Sequence, residues 1–326
     1  VMQPVHVEAV SLEAGTVRVT NRYDHIDWTD QLVGRYSLTV DGEELDDGPL
    51  ALPSLAPGES ADIDVPLIEV AIPEGAEARL RLSFQLADDQ LWADAGHEVA
   101  WADFPLPVVV PGPPIDPSDA FALLVTNGES IIEVRGESFA VGIDKASGSL
   151  SSFEADGAEL LTAPLRPDFW RAMTDNDLGN SFRSAAALWE DVGDALSATA
   201  IDVDASDDKE VVVTVEAEAD GVNATFTLTY RVFATGELGV ELGFEPGGNL
   251  PELPRFGMRL GLEGAFDQVQ WFGPGPEPTY VDRALLPVGL YDGPVATQFV
   301  PYARAQESGN KVDARFVAVT DTAGNG

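Results

Sequence analysis

The chain has 326 residues and a net charge of −38, from 56 acidic and 18 basic residues. An acidic excess of this size repels phosphate backbones and anionic lipid headgroups, so it argues against nucleic acid or a membrane as a partner. Hydrophobic residues make up 44% of the chain, which is enough for the cores of about two folded domains.

Cysteine is absent, which removes disulfides, thiolate metal sites and thiol nucleophiles together. An oxidising compartment is therefore not required. The first residues lack the basic and apolar regions of a signal peptide, and we expect a cytoplasmic location. The chain begins with Val1 rather than methionine, so we expect it to be a segment of a longer polypeptide.

Residues 1–110 alternate between apolar and polar side chains with a period of two, which is the pattern of half-buried strands. The clearest runs predict strands over residues 17–20, 36–40, 62–65 and 78–84, with turns at Asp41-Gly42 and Pro57-Gly58. About seven short strands in about 110 residues are typical of an immunoglobulin-like β-sandwich.

Prolines are concentrated between Phe104 and Asp119. Each proline fixes φ and removes a backbone donor, so neither a helix nor a central strand can continue through this stretch. We therefore predict a proline-rich linker over residues 111–117, with a second domain over residues 118–326.

The second segment contains longer predicted strands and little helix. Strands over 210–219 and 222–232 flank Asp220-Gly221, a hairpin signal, and another follows over 237–244. The one predicted helix covers about residues 181–192. This pattern predicts a large antiparallel sandwich, so the fold class of the whole chain is all-β.

Histidine is scarce, and His6, His25 and His97 all lie in the first segment. The second segment therefore cannot hold a Ser-His-Asp triad, and the sequence has no glycine-rich phosphate loop. Carboxylates are abundant, and glycoside hydrolysis needs two of them. With 56 acidic residues, composition alone nominates no pair.

The densest polar segment contains Asp175, Asn176 and Asp177, shortly before Gly179. Their oxygens suit Ca²⁺ or the hydroxyls of a sugar, but the spacing is not that of an EF-hand loop. Residues of this type before a glycine also form ordinary turns. On spacing alone we favour a turn.

The tryptophans have two interpretations. Trp271 precedes two Gly-Pro turns and could stack on a sugar, but a core position at the end of a strand is the more common role. We also predict core positions for the other tryptophans considered, which are Trp28, Trp92, Trp101 and Trp189.

Four motifs occur in one order along the chain. They are Trp92 to Phe104, with Ala95-Gly96-His97-Glu98 inside it; Pro164 to Gly179; Trp271 to Arg283, with Gly275-Pro276; and Gln306 to Asn310. Together they resemble the C-terminal region of the large bacterial β-galactosidases of glycoside hydrolase family two. Two positions depart from that pattern, because Pro278 stands where the family usually carries Glu and Ala305 where it usually carries Pro.

The resemblance implies a layout. Residues 1–110 would be the immunoglobulin-like sandwich that follows the catalytic barrel. Residues 118–326 would be most of a super-sandwich resembling the galactose mutarotase-like fold, incomplete at its C-terminus. Both catalytic glutamates and the family's Mg²⁺ and Na⁺ sites would lie upstream, so we expect no catalytic residue, cofactor site or metal site in this chain.

The resemblance also implies one functional element, a loop that borders the active site. Its candidate rim residues are Asp175, Asn176, Asp177, Gly179, Asn180 and Arg183. Gly179 would permit an unusual φ and act as a hinge. The alternative is that Asp175 and Asp177 only brace a turn.

The resulting hypothesis is that the parent polypeptide is a homo-oligomeric β-galactosidase that hydrolyses terminal non-reducing β-D-galactosides, such as lactose, with retention. This chain would be inactive alone and would supply scaffold, active-site rim and assembly contacts. The alternative is a non-enzymatic carbohydrate-binding β-sandwich module. A mutarotase-like epimerase is a third possibility, against which the lack of histidine in the second segment argues.

Overall fold

The structure is a computed structural model that describes residues 2–67, 72–107, 112 and 114–326. Pro111 and Pro113 of the predicted linker lie outside the described residues. The chain divides into two compact units. The first consists of Val1–Pro114, Asp267–Pro301 and Ser308–Gly326, and the second of Ile115–Phe266 and Tyr302–Glu307.

The described residues of the first part of the chain form seven strands. They are β1 Val5–Ser11, β2 Thr16–Asn21, β3 Leu32–Val40, β4 Glu43–Leu50, β5 Ser60–Asp64, β6 Ala78–Leu86 and β7 Glu98–Pro105. One antiparallel sheet has the order β1-β2-β5 and the other β4-β3-β6-β7. The four strands predicted from period-two patterning are all present, as β2, β3, β5 and β6.

The core of this sandwich follows the predicted alternation. Val17 and Val19 on β2, and Leu80 and Leu82 on β6, are completely buried, whereas the residues between them are not. The β3–β4 turn at residues 41–42 has φ of +49° and +84°. Two positive φ angles in succession are what a tight hairpin turn requires, which explains the Asp-Gly dipeptide there.

The second unit contains the next eleven strands and two short helices. In chain order these are β8 Leu124–Asn127, β9 Ile131–Arg135, β10 Phe139–Asp144, β11 Leu150–Ala155, β12 Ala158–Glu159, β13 Leu161–Asp168, α1 Asp175–Gly179, α2 Phe182–Ala185, β14 Leu196–Asp204, β15 Glu210–Ala219, β16 Val222–Phe233, β17 Leu238–Pro246 and β18 Gly257–Leu262. One sheet has the order β18-β13-β11-β10-β9-β8, with β12 paired to β11, and the other β14-β15-β16-β17.

Alternating side chains of these two sheets meet in one core. Val213 on β15 and Leu228 on β16 are completely buried and share a hydrophobic cluster with Ile132 on β9 and Ile143 on β10. The hairpin between β15 and β16 turns at Asp220-Gly221, as predicted, with Gly221 at φ +80°. The second unit is therefore an antiparallel sandwich, and the all-β prediction is confirmed for the chain.

The prediction of one helix over about residues 181–192 is largely wrong. Only α2 and a single 3₁₀ turn at Ala187–Trp189 form there. Ala186 and Trp189 are buried in a cluster of aromatic side chains with Phe169, and Trp189 Nε1 donates to the Pro251 carbonyl at 3.1 Å. These tertiary contacts override the helix propensity of the alanine-rich run.

Three strands complete the first unit, namely β19 Gln268–Pro274, β20 Val288–Pro294 and β21 Phe316–Thr320. They form an antiparallel sheet with the order β20-β19-β21. The compact units therefore divide residues 118–326 differently from the predicted second domain. The domain boundaries at 110 and 118 stay a prediction. Among the described residues, the helices are all too short to span a lipid bilayer.

Candidate active-site rim

The rim segment begins where the backbone leaves β13 and turns into α1. Thr174, in an extended conformation, precedes the helix. Asp177 Oδ2 accepts hydrogen bonds from the Thr174 backbone N–H at 2.8 Å and from the Thr174 hydroxyl at 2.9 Å. A carboxylate in the first helical turn satisfies a backbone donor that would otherwise lack a partner, and this fixes the start of α1.

Arg171 holds the other side of the same carboxylate. Its Nη1 lies 2.6 Å from Asp177 Oδ2 and its Nη2 lies 3.0 Å from Oδ1, which is a bidentate ion pair. Arg171 Nε also donates to the Pro254 carbonyl at 3.2 Å. The two side chains are 21% and 10% exposed, so the pair is mostly removed from solvent.

This environment changes the acidity of Asp177. The hydrogen bond from the Arg171 guanidinium lowers the pKa of Asp177 from 3.8 to about 2, assisted by the two bonds from Thr174 and opposed by partial burial. The carboxyl group is therefore ionised at neutral pH. Its hydrogen bonds tie it to the turn, which suits a structural brace and not a proton donor in catalysis.

A distant segment of the chain completes the cluster. Asp175 N–H donates to the Ala305 carbonyl at 2.8 Å, and Asp175 Oδ1 lies 3.3 Å from Arg304 Nη1. Glu307 Oε1 lies 3.7 Å from Arg171 Nη1. The structure thus joins two motifs that are far apart in sequence, and only tertiary structure reveals that residues 304–307 belong to this site.

The unusual φ expected at Gly179 occurs at a different residue, and a hinge in this loop stays a prediction. Gly179 does not have a positive φ, whereas Ser181 has φ +64°. The prediction of an unusual φ at Gly179 is wrong because glycine permits a left-handed conformation without requiring one. A Cβ at Gly179 would meet no atom within 4 Å. The strained position between α1 and α2 is therefore Ser181.

The remaining rim residues face solvent. Asn176 and Asn180 are exposed, and Asn180 Oδ1 accepts the Phe182 backbone N–H at 2.9 Å. Arg183 is 62% exposed and lies 3.4 Å from Glu190 Oε1. The six candidates therefore form two groups. Asp177 braces the turn from inside, and the exposed members leave polar atoms free to meet another surface.

The tryptophan predictions are mostly confirmed. Trp28, Trp189 and Trp271 are buried core residues, and Trp101 is half-buried. The prediction for Trp92 is wrong, because its side chain is 65% exposed. It lies on the loop between β6 and β7, where its only ring contact within the described residues is an edge-to-face contact with His97 at 5.4 Å.

A metal site requires several ligating side chains that converge on one point. Across the ranges that the structure describes, no three His, Asp or Glu side chains are placed to hold one ion together. The oxygen atoms of Asp175 and Asp177 are instead directed to Arg304 and Arg171.

Two family models match consecutive parts of the chain. The model described as β-galactosidase domain 4 matches residues 17–107, which carry six of the seven strands of the first sandwich. The model described as β-galactosidase small chain matches residues 135–325, more than half of the chain. The chain belongs to the β-galactosidase small chain family. The second match includes the whole of the rim cluster, from Arg171 to Glu307.

Curated relatives of this family member are named β-galactosidase. The protein of Priestia megaterium (strain DSM 319 / IMG 1521) is 33% identical over 99% of this chain and 31% of its own length. Those of Halalkalibacterium halodurans and Lactobacillus delbrueckii subsp. bulgaricus are 32% and 31% identical, over 83% and 88% of this chain and 27% and 28% of their own lengths. The chain therefore spans about 30% of the length of these relatives.

Proposed function

We propose that this chain is the non-catalytic part of a β-galactosidase that hydrolyses terminal non-reducing β-D-galactosides, such as lactose, with retention. In a retaining mechanism one carboxylate attacks the sugar and a second protonates the leaving group, about 5–5.5 Å away. Both glutamates would lie in a part of the enzyme outside this chain. This chain would supply a scaffold, one edge of the substrate site and contacts between subunits.

The observation that carries the proposal is the order of the two family matches along one chain, over residues 17–107 and 135–325. The rim cluster supports the same conclusion. Its most buried carboxylate, Asp177, is engaged by Arg171 and Thr174 and is poorly suited to donate a proton near neutral pH.

A covalent trap tests where the reactive carboxylates lie. A galactoside with fluorine at carbon 2 and a good leaving group forms a long-lived ester with the nucleophilic carboxylate of a retaining enzyme, because the fluorine destabilises the second transition state. The parent polypeptide should be labelled once per active site. Peptide mapping by mass spectrometry should place the label on a glutamate outside these 326 residues. A label on a carboxylate within this chain would contradict the proposal.

A non-enzymatic carbohydrate-binding module is the second candidate. The observation that favours it is the exposed Trp92, whose ring is held by His97 and faces solvent. Aromatic rings with an exposed face can stack against the apolar face of a sugar ring. Titration of the chain with lactose, followed by Trp fluorescence, distinguishes the two candidates. Tight binding that Trp92→Ala abolishes, in a polypeptide without hydrolytic activity, favours the module.

The first proposal also carries expectations for the oligomeric state, the cellular location and the metal sites of the enzyme. We place the enzyme in the cytoplasm as a homo-oligomer, and its Mg²⁺ and Na⁺ sites outside this chain. Sedimentation velocity of the parent polypeptide tests the oligomer. The β-galactoside substrate would be the small-molecule partner of the enzyme. We expect it to bind neither nucleic acid nor membranes, because the charge of −38 repels both.

A further inference from the structure

The outer face of the β4-β3-β6-β7 sheet has a feature that the proposed function does not use. A cleft of about 200 Å³ lies on this face, away from the sandwich core. It is lined by side chains from all four strands. A drug-sized ligand occupies a pocket of roughly 300–1,000 Å³, so this cleft has room for a smaller molecule.

The cleft arises from the register of the two central strands. Ser83 on β6 pairs with Arg35 on β3, and Ser37 on β3 pairs with Arg81 on β6. Each short serine therefore lies beside a long arginine of the neighbouring strand. The two serines leave space at the centre of the face, and the longer side chains on either side form its walls.

The polar groups of the walls are held in place by one another. Arg81 Nη2 lies 3.1 and 3.2 Å from the two carboxylate oxygens of Glu98. Glu98 Oε2 also accepts the Ser83 hydroxyl at 2.6 Å, and Ser83 Oγ accepts Gln85 Nε2 at 3.2 Å. On the opposite wall Arg35 pairs with Asp47. Donors and acceptors therefore alternate around the cleft in fixed positions, which reduces the entropy lost when a ligand binds.

Trp101 fixes one wall further. The Arg81 guanidinium carbon lies 5.7 Å from the centre of the Trp101 ring, a cation–π contact. Arg81 is thus held by Glu98 on one side and by an aromatic ring on the other. Glu98 engages only Nη2 of Arg81, and a guanidinium carries five N–H donors in all.

The charge of the cleft indicates the class of ligand. Two arginines face three carboxylates, Glu44, Asp47 and Glu98, so the lining is close to neutral in a chain of −38. Because each arginine is already paired with a carboxylate, an anion or a cation would have to displace an ion pair. A neutral molecule with several hydroxyl groups can both donate to the carboxylates and accept from the arginines without displacing either.

We propose that this cleft binds one neutral hexopyranose residue. Galactose is the first sugar to examine, and that choice rests on the proposed function. The hydroxyl groups of the sugar would contact the Arg81–Glu98 and Arg35–Asp47 pairs, and its ring would lie over Ser37 and Ser83.

The test is a titration of the ¹⁵N-labelled chain with methyl β-D-galactopyranoside, followed by amide chemical shifts. We expect saturable shifts at Ser37, Ser83 and Glu98, in the millimolar range. Ser83→Leu fills the cleft and should weaken binding at least tenfold. Ser60→Leu makes the same change on β5, in the other sheet of the sandwich, and should leave binding unchanged.

As a control for correct folding, the midpoints of thermal unfolding of both variants are compared with that of the natural chain. If Ser83→Leu does not fold, Gln85→Ala removes only the bond to Ser83 and should still weaken binding severalfold. Shifts that grow linearly without saturation for galactoside, glucoside and mannoside alike would overturn the inference, as would equal affinity in Ser83→Leu.

The outcome for the cleft is separable from the outcome for the proposed function. If the parent polypeptide hydrolyses galactosides and no hexoside saturates the cleft, only the inference fails. If a hexoside saturates the cleft and the parent is inactive on galactosides, the proposed function fails and the binding site stands.

Discussion

A Cβ atom added to Gly42 would lie 2.6 Å from the backbone nitrogen of Leu290. Gly42 belongs to the β3–β4 turn of the first sandwich and Leu290 to β20 of the last sheet, within the same compact unit. The turn and the strand therefore touch at a point where no side chain fits. Position 42 therefore requires glycine for two reasons, its positive φ and this close approach.

Gly42→Ala should destabilise the first unit more than Gly58→Ala. Both glycines have similar φ angles, +84° and +82°, but a Cβ at Gly58 meets nothing within 4 Å. Each substitution carries the strain of a left-handed alanine, about 1 kcal/mol, and only Gly42→Ala adds an overpacking cost of about 1–3 kcal/mol. Urea unfolding of the two variants measures the difference. Equal midpoints would contradict the packing described for Gly42 and Leu290.

Asp103→Ala should be strongly destabilising. The Asp103 side chain is 6% exposed, binds Arg79 Nε at 3.0 Å and accepts the Val288 backbone N–H at 3.0 Å. Its removal leaves the Val288 backbone donor unpaired and leaves the buried Arg79 guanidinium with Glu77 as its remaining carboxylate partner, at a cost of about 1–3 kcal/mol. Asp62→Ala removes the exposed partner of Arg18 and is the matched control, with a far smaller effect expected. A small effect at Asp103 would show that water replaces its bonds.

Asp177 should contribute stability that depends on pH. Because its pKa falls from 3.8 to about 2 on folding, ionised Asp177 stabilises the folded state by about 2 kcal/mol above about pH 4. This contribution is lost as the pH falls toward 2, and about half is lost by about pH 3. Asp177→Asn should therefore flatten the loss of unfolding free energy between about pH 5 and 3. An unchanged slope would contradict the depressed pKa.

Thr174→Val separates the contribution of the Thr174 hydroxyl to the Asp177 carboxylate from that of the Arg171 guanidinium. It removes the hydroxyl donor at 2.9 Å and keeps both the backbone donor and the Arg171 pair. We expect a loss of about 1 kcal/mol, with most of the pH dependence retained. Denaturation of the variant at neutral and acidic pH checks both parts. A variant that also loses the pH dependence would show that Thr174 and not Arg171 sets the pKa.

Arg183→Ala tests whether the exposed part of the rim contacts substrate. Arg183 makes one long contact to Glu190, so its removal should leave stability within about 0.5 kcal/mol. In the parent polypeptide the variant should raise KM for a galactoside with little change in kcat, since it removes binding shared by ground and transition states. Arg231→Ala, an exposed arginine paired with Glu210 on the second sandwich, is the control. Equal kinetics for both variants would remove Arg183 from the rim.

Local patterns were sufficient to predict most of the strands. The turn at Asp41-Gly42 and the hairpin at Asp220-Gly221 were predictable because tight turns require φ angles that these residues tolerate. Period-two runs predicted β2, β6, β15 and β16 because one face of each strand is buried. These features depend on neighbouring residues alone.

Features that depend on distant residues were not predictable in the same way. The exposure of Trp92 and the left-handed Ser181 follow from the loops around them, and residue type does not indicate either. The approach of Glu307 to Arg171, and the contact of β20 with the first sandwich, join parts of the chain that no spacing rule connects. The sequence thus singled out the segment around residues 175–183 and not its tertiary partners, and its role as an active-site rim stays a prediction.

Whether the reactive carboxylates lie outside this chain is measured by comparing hydrolysis of o-nitrophenyl β-D-galactopyranoside by the isolated chain and by the parent polypeptide at equal concentration. We expect turnover by the parent polypeptide and none above the buffer blank for the isolated, folded chain. Robust turnover by the isolated chain would contradict the claim, because the reactive carboxylates would then have to lie within these 326 residues.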